Sequence, residues 1–276
     1  MPPLSPADVL PLTCTREGVC CHGHRIWINP WELAVLAAHA GESLAEARAR
    51  LTDCRGLRLA FDGPPDRRGL AACRLYDPAA GCTRHAARPL TCRVYPLGRL
   101  RVAGEVQYVP ARGRLPCLDS CPTVTALPAM TVADYLAGQQ IGPGEIAHDA
   151  YANLVYGLMA SAAVLYHHPH AGVERAKVLE TFDFLASLEP MARIEVLPAA
   201  WSELLTDGTV GLNLADPGAF VQAHGERLKK AILGGAKETD AKLTEVTCLY
   251  VMMALHLVPV VGGDPVVMRG MLVGAP

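Results

Sequence analysis

The stretch Arg88-Pro89-Leu90-Thr91-Cys92-Arg93-Val94-Tyr95-Pro96 lies inside a region that is rich in cysteine. The chain has 276 residues and ten cysteines, and nine of these fall between Cys14 and Cys121. Two of them form the adjacent pair Cys20-Cys21. Because thiolates are soft ligands for zinc, copper(I) and iron–sulfur clusters, this crowding predicts a half of the chain that is organised around bound metal.

Two other uses of the thiols have to be weighed. Disulfide scaffolds are typically short secreted chains, whereas residues 1–6 show neither a basic nor an apolar signal region, so we expect a cytoplasmic protein. Buried free cysteines behave as small hydrophobes, and this interpretation suits Cys248, in an apolar helical run, and also Cys54. The second alternative does not account for an adjacent pair together with the Cys117-x3-Cys121 spacing.

Composition and charge narrow the function further. The hydrophobic fraction of 51% permits a buried core, and the net charge of −2 gives no overall attraction for nucleic acid. Residues 67–114 nevertheless contain ten arginines against two acidic residues. Since these arginines interleave with cysteines, we interpret them as compensating thiolate charge. Nucleic-acid contact is the less favoured alternative, because few aromatic residues accompany them.

The pattern of the chain changes near residue 125 and predicts a mostly α protein. We expect an irregular cysteine-rich metal-binding module with short strands over residues 1–125, followed by an all-α domain over residues 126–276. In the first part, Asn29-Pro30 and Ser43-x-x-Glu46 are helix-start patterns, and residues 100–109 suggest a hairpin. In the second, helices are expected over about 145–167, 173–187, 190–205, 218–233 and 238–257. The apolar stretches 151–166 and 246–261 fall short of the ~20 residues that span a bilayer, so we predict buried helices and no membrane association.

The cysteine pattern resembles that of a known family. Cys20-Cys21, Cys73, Cys82 and the signature at residues 88–96 match the YkgJ-like cysteine-cluster family of the CxxCxxCC type. That resemblance covers roughly residues 10–125 and implies a zinc- or iron-chelating domain, often iron–sulfur containing. One position departs from the family motif, since Glu17 stands where its second cysteine would be.

The candidate metal ligands are the cysteines that remain after Cys54 and Cys248 are set aside, together with one histidine. They are Cys14, Cys20, Cys21, Cys73, Cys82, Cys92, Cys117, Cys121 and His22. Eight thiolates could fill two zinc sites, two [4Fe–4S] clusters, or one cluster with structural thiols left over. We favour iron–sulfur over zinc, because side chains of adjacent cysteines are expected to diverge and because wide gaps separate the later cysteines. His22 directly follows the pair and could supply a nitrogen ligand.

Two classes of function follow from these observations. The first is a metal-binding protein with a redox, metal-handling or structural role. The second is an iron–sulfur-dependent protein-modifying enzyme, because the layout is similar to that of flagellin lysine-N-methylases, which couple such a cluster to a helical body. In that case the helical part would bind a protein substrate or partner. No phosphate-binding loop, catalytic Ser/His/Asp set or paired-carboxylate motif supports an ordinary kinase or hydrolase.

Overall fold

A computed structural model describes residues 2–13, 18–102, 104–111, 126–238 and 243–274. The chain divides into two compact units, and both are discontinuous in sequence. The cysteine unit comprises Met1–Ile26 and Leu59–Glu145, and the helical unit comprises Trp27–Arg58 and Ile146–Pro276. As the sequence predicted, the chain is mostly helical, with short strands concentrated in its cysteine-rich part.

The strands are short and pair locally. Within the described residues they form four two-stranded sheets: β1 (Val9–Leu10) with β8 (Met130–Thr131), β2 (Thr52–Asp53) with β3 (Arg58–Leu59), β4 (Tyr76–Asp77) with β5 (Gly81–Cys82), and β6 (Leu97–Val102) with β7 (Glu105–Pro110). The last pair is the predicted hairpin, with Leu100 opposite Gln107. A small apolar cluster of Leu12, Leu97, Val132 and Tyr135 lies buried in the cysteine unit.

Eleven α-helices are seen in the described residues. They are α1 (Pro30–Ala40), α2 (Leu44–Leu51), α3 (Leu90–Val94), α4 (Val132–Gly138), α5 (Gly142–His167), α6 (Arg175–Ser187), α7 (Pro190–Glu195), α8 (Ala199–Thr206), α9 (Pro217–Glu238), α10 (Leu243–Val261) and α11 (Pro265–Val273). The single helix expected over 190–205 is two helices, because Pro198 has no N–H to donate to a preceding turn and instead occupies the N-cap of α8.

The two predicted helix starts in the cysteine-rich half are confirmed, and each is a complete capping box. The Asn29 side chain accepts from the Glu32 N–H at 3.0 Å, while the Glu32 carboxylate accepts from the Asn29 N–H at 2.9 Å. Ser43 and Glu46 make the same reciprocal pair at the start of α2. Each box satisfies backbone donors that the first helical turn leaves without partners.

Helices α1 and α2 belong to the helical unit, which the composition of the chain did not indicate. Trp31 of α1 is buried in a cluster with Tyr151 and Phe220, and its indole Nε1 donates to the Leu214 carbonyl at 3.2 Å. The predicted division at residue 125 follows the change in cysteine content. The observed units instead follow the apolar faces of these helices, which pack with residues far along the chain.

The core of the helical unit is built around α10. Cys248 lies in this core, 8% exposed, with its Sγ 3.5 Å from the Thr181 hydroxyl, so its predicted role as a buried free cysteine is confirmed. Within the described residues, α10 is the one helix long and apolar enough to cross a membrane, with a mean hydropathy of 1.6. However, 72% of that apolar window is buried inside the fold.

Candidate metal centre

Five of the predicted ligands meet at one cavity in the cysteine unit. Its volume is about 200 Å³. The lining thiols come from Cys20, Cys21, Cys73, Cys82 and Cys92. These residues are separated by up to 72 positions in the chain, so the fold gathers distant thiols into one space. The other predicted cysteine ligands, at positions 14, 117 and 121, lie outside the described residues.

The adjacent pair sits in a short 3-10 turn, Val19–Cys21. Gly18 starts this turn with φ +72°, a left-handed conformation that favours glycine, and its carbonyl accepts from the Cys21 N–H at 2.8 Å. The Cys21 carbonyl then accepts from the Cys73 N–H at 2.6 Å, which fixes a third cysteine beside the pair. The two sulfurs of the pair are 4.0 Å apart.

Cys82 is positioned by the tight hairpin of β4 and β5, where it lies opposite Tyr76. The Asp77 carboxylate closes the turn by accepting from the N–H groups of Ala79 and Ala80, both at 2.8 Å. An acidic side chain that bonds to backbone two and three residues ahead is a common way of stabilising such turns. The hairpin therefore carries Cys82 back toward the residues that follow Cys73.

Cys92 lies in the middle of the short helix α3, inside the signature stretch. The helix follows directly on Pro89, and its neighbour Arg93 anchors it. The Arg93 guanidinium donates to the carbonyls of Arg88 and Gln139, each at 2.9 Å, and to that of Ala86. This signature arginine therefore fixes the backbone around Cys92.

The rest of the cavity lining is largely apolar. Ile26, Leu59, Phe61 and Leu75 form part of its wall. No Asp or Glu of the described residues lines it, and Arg88 is the one lysine or arginine that does. Thiols in such a space are removed from water and sense nearby charges strongly.

The thiols differ in how readily they ionise. A hydrogen bond from the Cys21 thiol lowers the pKa of Cys20 to about 7, and Arg88 adds to this effect. The same hydrogen bond raises the pKa of Cys21, and burial adds to it. Burial also raises the pKa of Cys73, to about 11, and that of Cys82, although Arg88 opposes the effect at Cys82. Of these four thiols, Cys20 is therefore the one most readily present as thiolate, the form that binds metal.

The histidines are placed differently from the thiols. His22 is buried outside the lining of the cavity, with Nδ1 2.9 Å from the Gly18 carbonyl and its ring edge-on to Tyr76. Its role as a ligand stays a prediction. His24 and His85 do line the cavity, and His24 packs edge-on against Tyr95. The sequence offers His24 beside His22 as a nitrogen ligand and favours His22, and it places His85 outside the set of ligands.

The residues present fit a thiolate-bound metal group in their chemistry. Five soft donors and no carboxylate of the described chain surround the cavity, a donor set suited to zinc or to iron–sulfur clusters. The side chains of Cys20 and Cys21 were expected to diverge, and this was wrong, because their separation of 4.0 Å is close to the ~3.8 Å sulfur–sulfur edge that Zn–S bonds of about 2.3 Å give in a tetrahedron. As the described side chains stand, no three of them converge closely enough to hold a single ion.

Comparison with known proteins agrees with this chemistry. Residues 13–110 match the CxxCxxCC family, described as a "putative zinc- or iron-chelating domain". The resemblance of this stretch to the cysteine-cluster family is thereby confirmed, and metal binding is supported. No curated protein and no solved structure matches the chain.

Proposed function

We propose that this protein binds an iron–sulfur cluster through cysteines of its cysteine unit and uses it in a redox, metal-handling or structural role in the cytoplasm. The observation that carries the proposal is the meeting of five thiols at one cavity. A [4Fe–4S] cluster and a tetrahedral zinc ion each use at most four thiolates, so these five thiols are enough to hold the proposed cluster.

Zinc is the second candidate, and one distance favours it. The separation of 4.0 Å between the Cys20 and Cys21 sulfurs suits two ligands of one tetrahedral ion. In that case the remaining thiols would complete the site or serve a second one. The family match and the cavity are compatible with both zinc and an iron–sulfur cluster. Direct measurement of the bound metal therefore has to distinguish the two.

Elemental analysis of protein purified without oxygen tests both candidates. Iron with acid-labile sulfide and a brown colour supports the cluster, whereas stoichiometric zinc in a colourless protein supports the alternative. Purified protein that carries neither metal, and that takes up neither Zn²⁺ nor ferrous iron with sulfide, would show that the cavity is not a metal centre.

Two serine variants make the test specific to the cavity. Cys92→Ser removes a lining thiol and should lower the metal content and the stability of the cysteine unit, since metal binding and folding are coupled. Cys248→Ser alters a thiol in the core of the helical unit and should leave the metal content unchanged. Equal metal loss in the two variants would contradict the assignment of the site.

A further inference from the structure

The charge balance of the cavity points to one arginine. Thiolate ligands bring several negative charges into a partly buried space, and Arg88 is the one cationic Lys or Arg side chain of the described residues that lines it. We propose that Arg88 is a positioning residue that balances the thiolate charge of the metal centre and so raises its affinity for metal. This inference rests on the proposed function.

The guanidinium of Arg88 is fixed without losing its charge. Its Nη2 donates to the Gln139 side-chain oxygen at 2.8 Å, and its Nε donates to the His85 carbonyl at 3.1 Å. Both acceptors are neutral, and no carboxylate of the described residues pairs with Arg88. Its positive charge is therefore available to the cavity, where partial burial limits screening by salt.

Three other arginines of the basic stretch, Arg74, Arg93 and Arg99, are committed elsewhere. Arg74, directly after Cys73, forms a two-pronged ion pair with the Asp62 carboxylate. Arg99 pairs with Glu145 at 2.9 Å, and Arg93 donates to backbone carbonyls. The sequence presented these arginines as equivalent partners of the thiolates, but the structure separates them by what each guanidinium contacts.

The expected size of the effect follows from similar arrangements. Groups that support metal ligands from outside the coordination shell typically change metal affinity by about 10- to 100-fold when they are substituted. A cation beside the centre also favours the more reduced, more negative state of an iron–sulfur cluster, so removing it should shift the midpoint potential to a more negative value.

The experiment compares Arg88→Gln, Arg88→Lys and Arg74→Gln by chelator competition on the full-length protein loaded with Zn²⁺. We expect Arg88→Gln to bind Zn²⁺ about 10- to 100-fold more weakly. Arg88→Lys should recover part of this loss, because it restores a cation without the planar fork. Arg74→Gln, whose guanidinium is already paired, should stay within about threefold of the wild type.

Two results would overturn the inference in distinguishable ways. Wild-type affinity in Arg88→Gln would refute the role of Arg88 while leaving the metal centre in place, and a wild-type protein that takes up neither Zn²⁺ nor ferrous iron with sulfide would refute both. If Arg88→Gln does not fold, Arg88→Met tests the same point, because it removes the positive charge and keeps much of the length of the side chain. Wild-type Zn²⁺ affinity in Arg88→Met would then count against the proposal.

Discussion

The buried histidine of the helical unit gives a quantitative prediction for the pH dependence of stability. His224 is fully buried, with Nε2 3.2 Å from the Leu204 carbonyl and Nδ1 2.9 Å from the Tyr151 hydroxyl. Because a carbonyl only accepts, Nε2 donates to it, and the Tyr151 hydroxyl donates to Nδ1. Burial lowers the pKa of His224 from 6.5 to about 4, so the folded protein holds this ring neutral at neutral pH.

The sign of the effect follows from where the proton binds. A pKa that is lower in the folded state means that the unfolded chain takes up the proton first as the pH falls below 6.5, so stability decreases between pH 6.5 and pH 4. From this difference the free energy of unfolding should fall by about 1.4 kcal/mol at about pH 5.5 and by about 2.5 kcal/mol at about pH 4.5. Other titrating groups add their own pH dependence, which a matched variant cancels.

The variant His224→Gln keeps a donor and an acceptor but cannot take up the proton. Urea unfolding followed by circular dichroism at about pH 7.5, 5.5 and 4.5 should show the variant less stable at neutral pH, with the gap narrowing by about 2.5 kcal/mol toward pH 4.5. Tyr151→Phe is the control: it removes the hydroxyl partner but leaves the imidazole, so the acid-dependent loss should remain. If the free energies of unfolding of the wild type and His224→Gln change in parallel between about pH 7.5 and about pH 4.5, the reasoning is refuted.

Three further predictions concern positions that hold each unit together. Arg93→Gln should lower the stability of the cysteine unit by at least about 2 kcal/mol, because charge-assisted hydrogen bonds to backbone carbonyls are lost. An unchanged midpoint of urea unfolding would contradict this. Gly18→Ala should lower the free energy of unfolding by at least about 1–2 kcal/mol and disturb the thiol cavity, since φ is +72° and the added methyl would meet the Tyr76 ring. Normal metal content with unchanged stability would argue against this. Trp31→Ala should lower the free energy of unfolding by about 3–5 kcal/mol and reduce hydrogen-exchange protection around Phe220. Loss of protection only in the cysteine unit would contradict the observed division of the chain into two units.

Local sequence signals predicted the elements that depend on neighbouring residues. The capping boxes at Asn29 and Ser43 satisfy donors three residues away, so the pattern carries nearly all the information that sets those helix starts. The β6–β7 hairpin is likewise local, and its register follows from a tight turn at Gly104, where φ is +87°.

Features that depend on tertiary packing could not be obtained in the same way. The meeting of the five described cysteines was expected from the resemblance to the cysteine-cluster family. The distinct contacts of Arg74, Arg88 and Arg93 depend instead on which groups the fold brings near each guanidinium. The assignment of α1 to the helical unit depends on Trp31 meeting Phe220, a contact across nearly two hundred positions. The amino-acid composition of the first half of the chain carries no information about this contact.

The discontinuity of the helical unit has a consequence for synthesis on the ribosome. The apolar face of α1 emerges early, yet Phe220, which covers part of it, is made about 190 residues later. At about 5–20 residues per second, that interval lasts roughly 10–40 s. The thiols that line the cavity are all translated by Cys92, well within this interval. The nascent chain therefore presents all of these thiols before the residues that cover the apolar face of α1 have been synthesised.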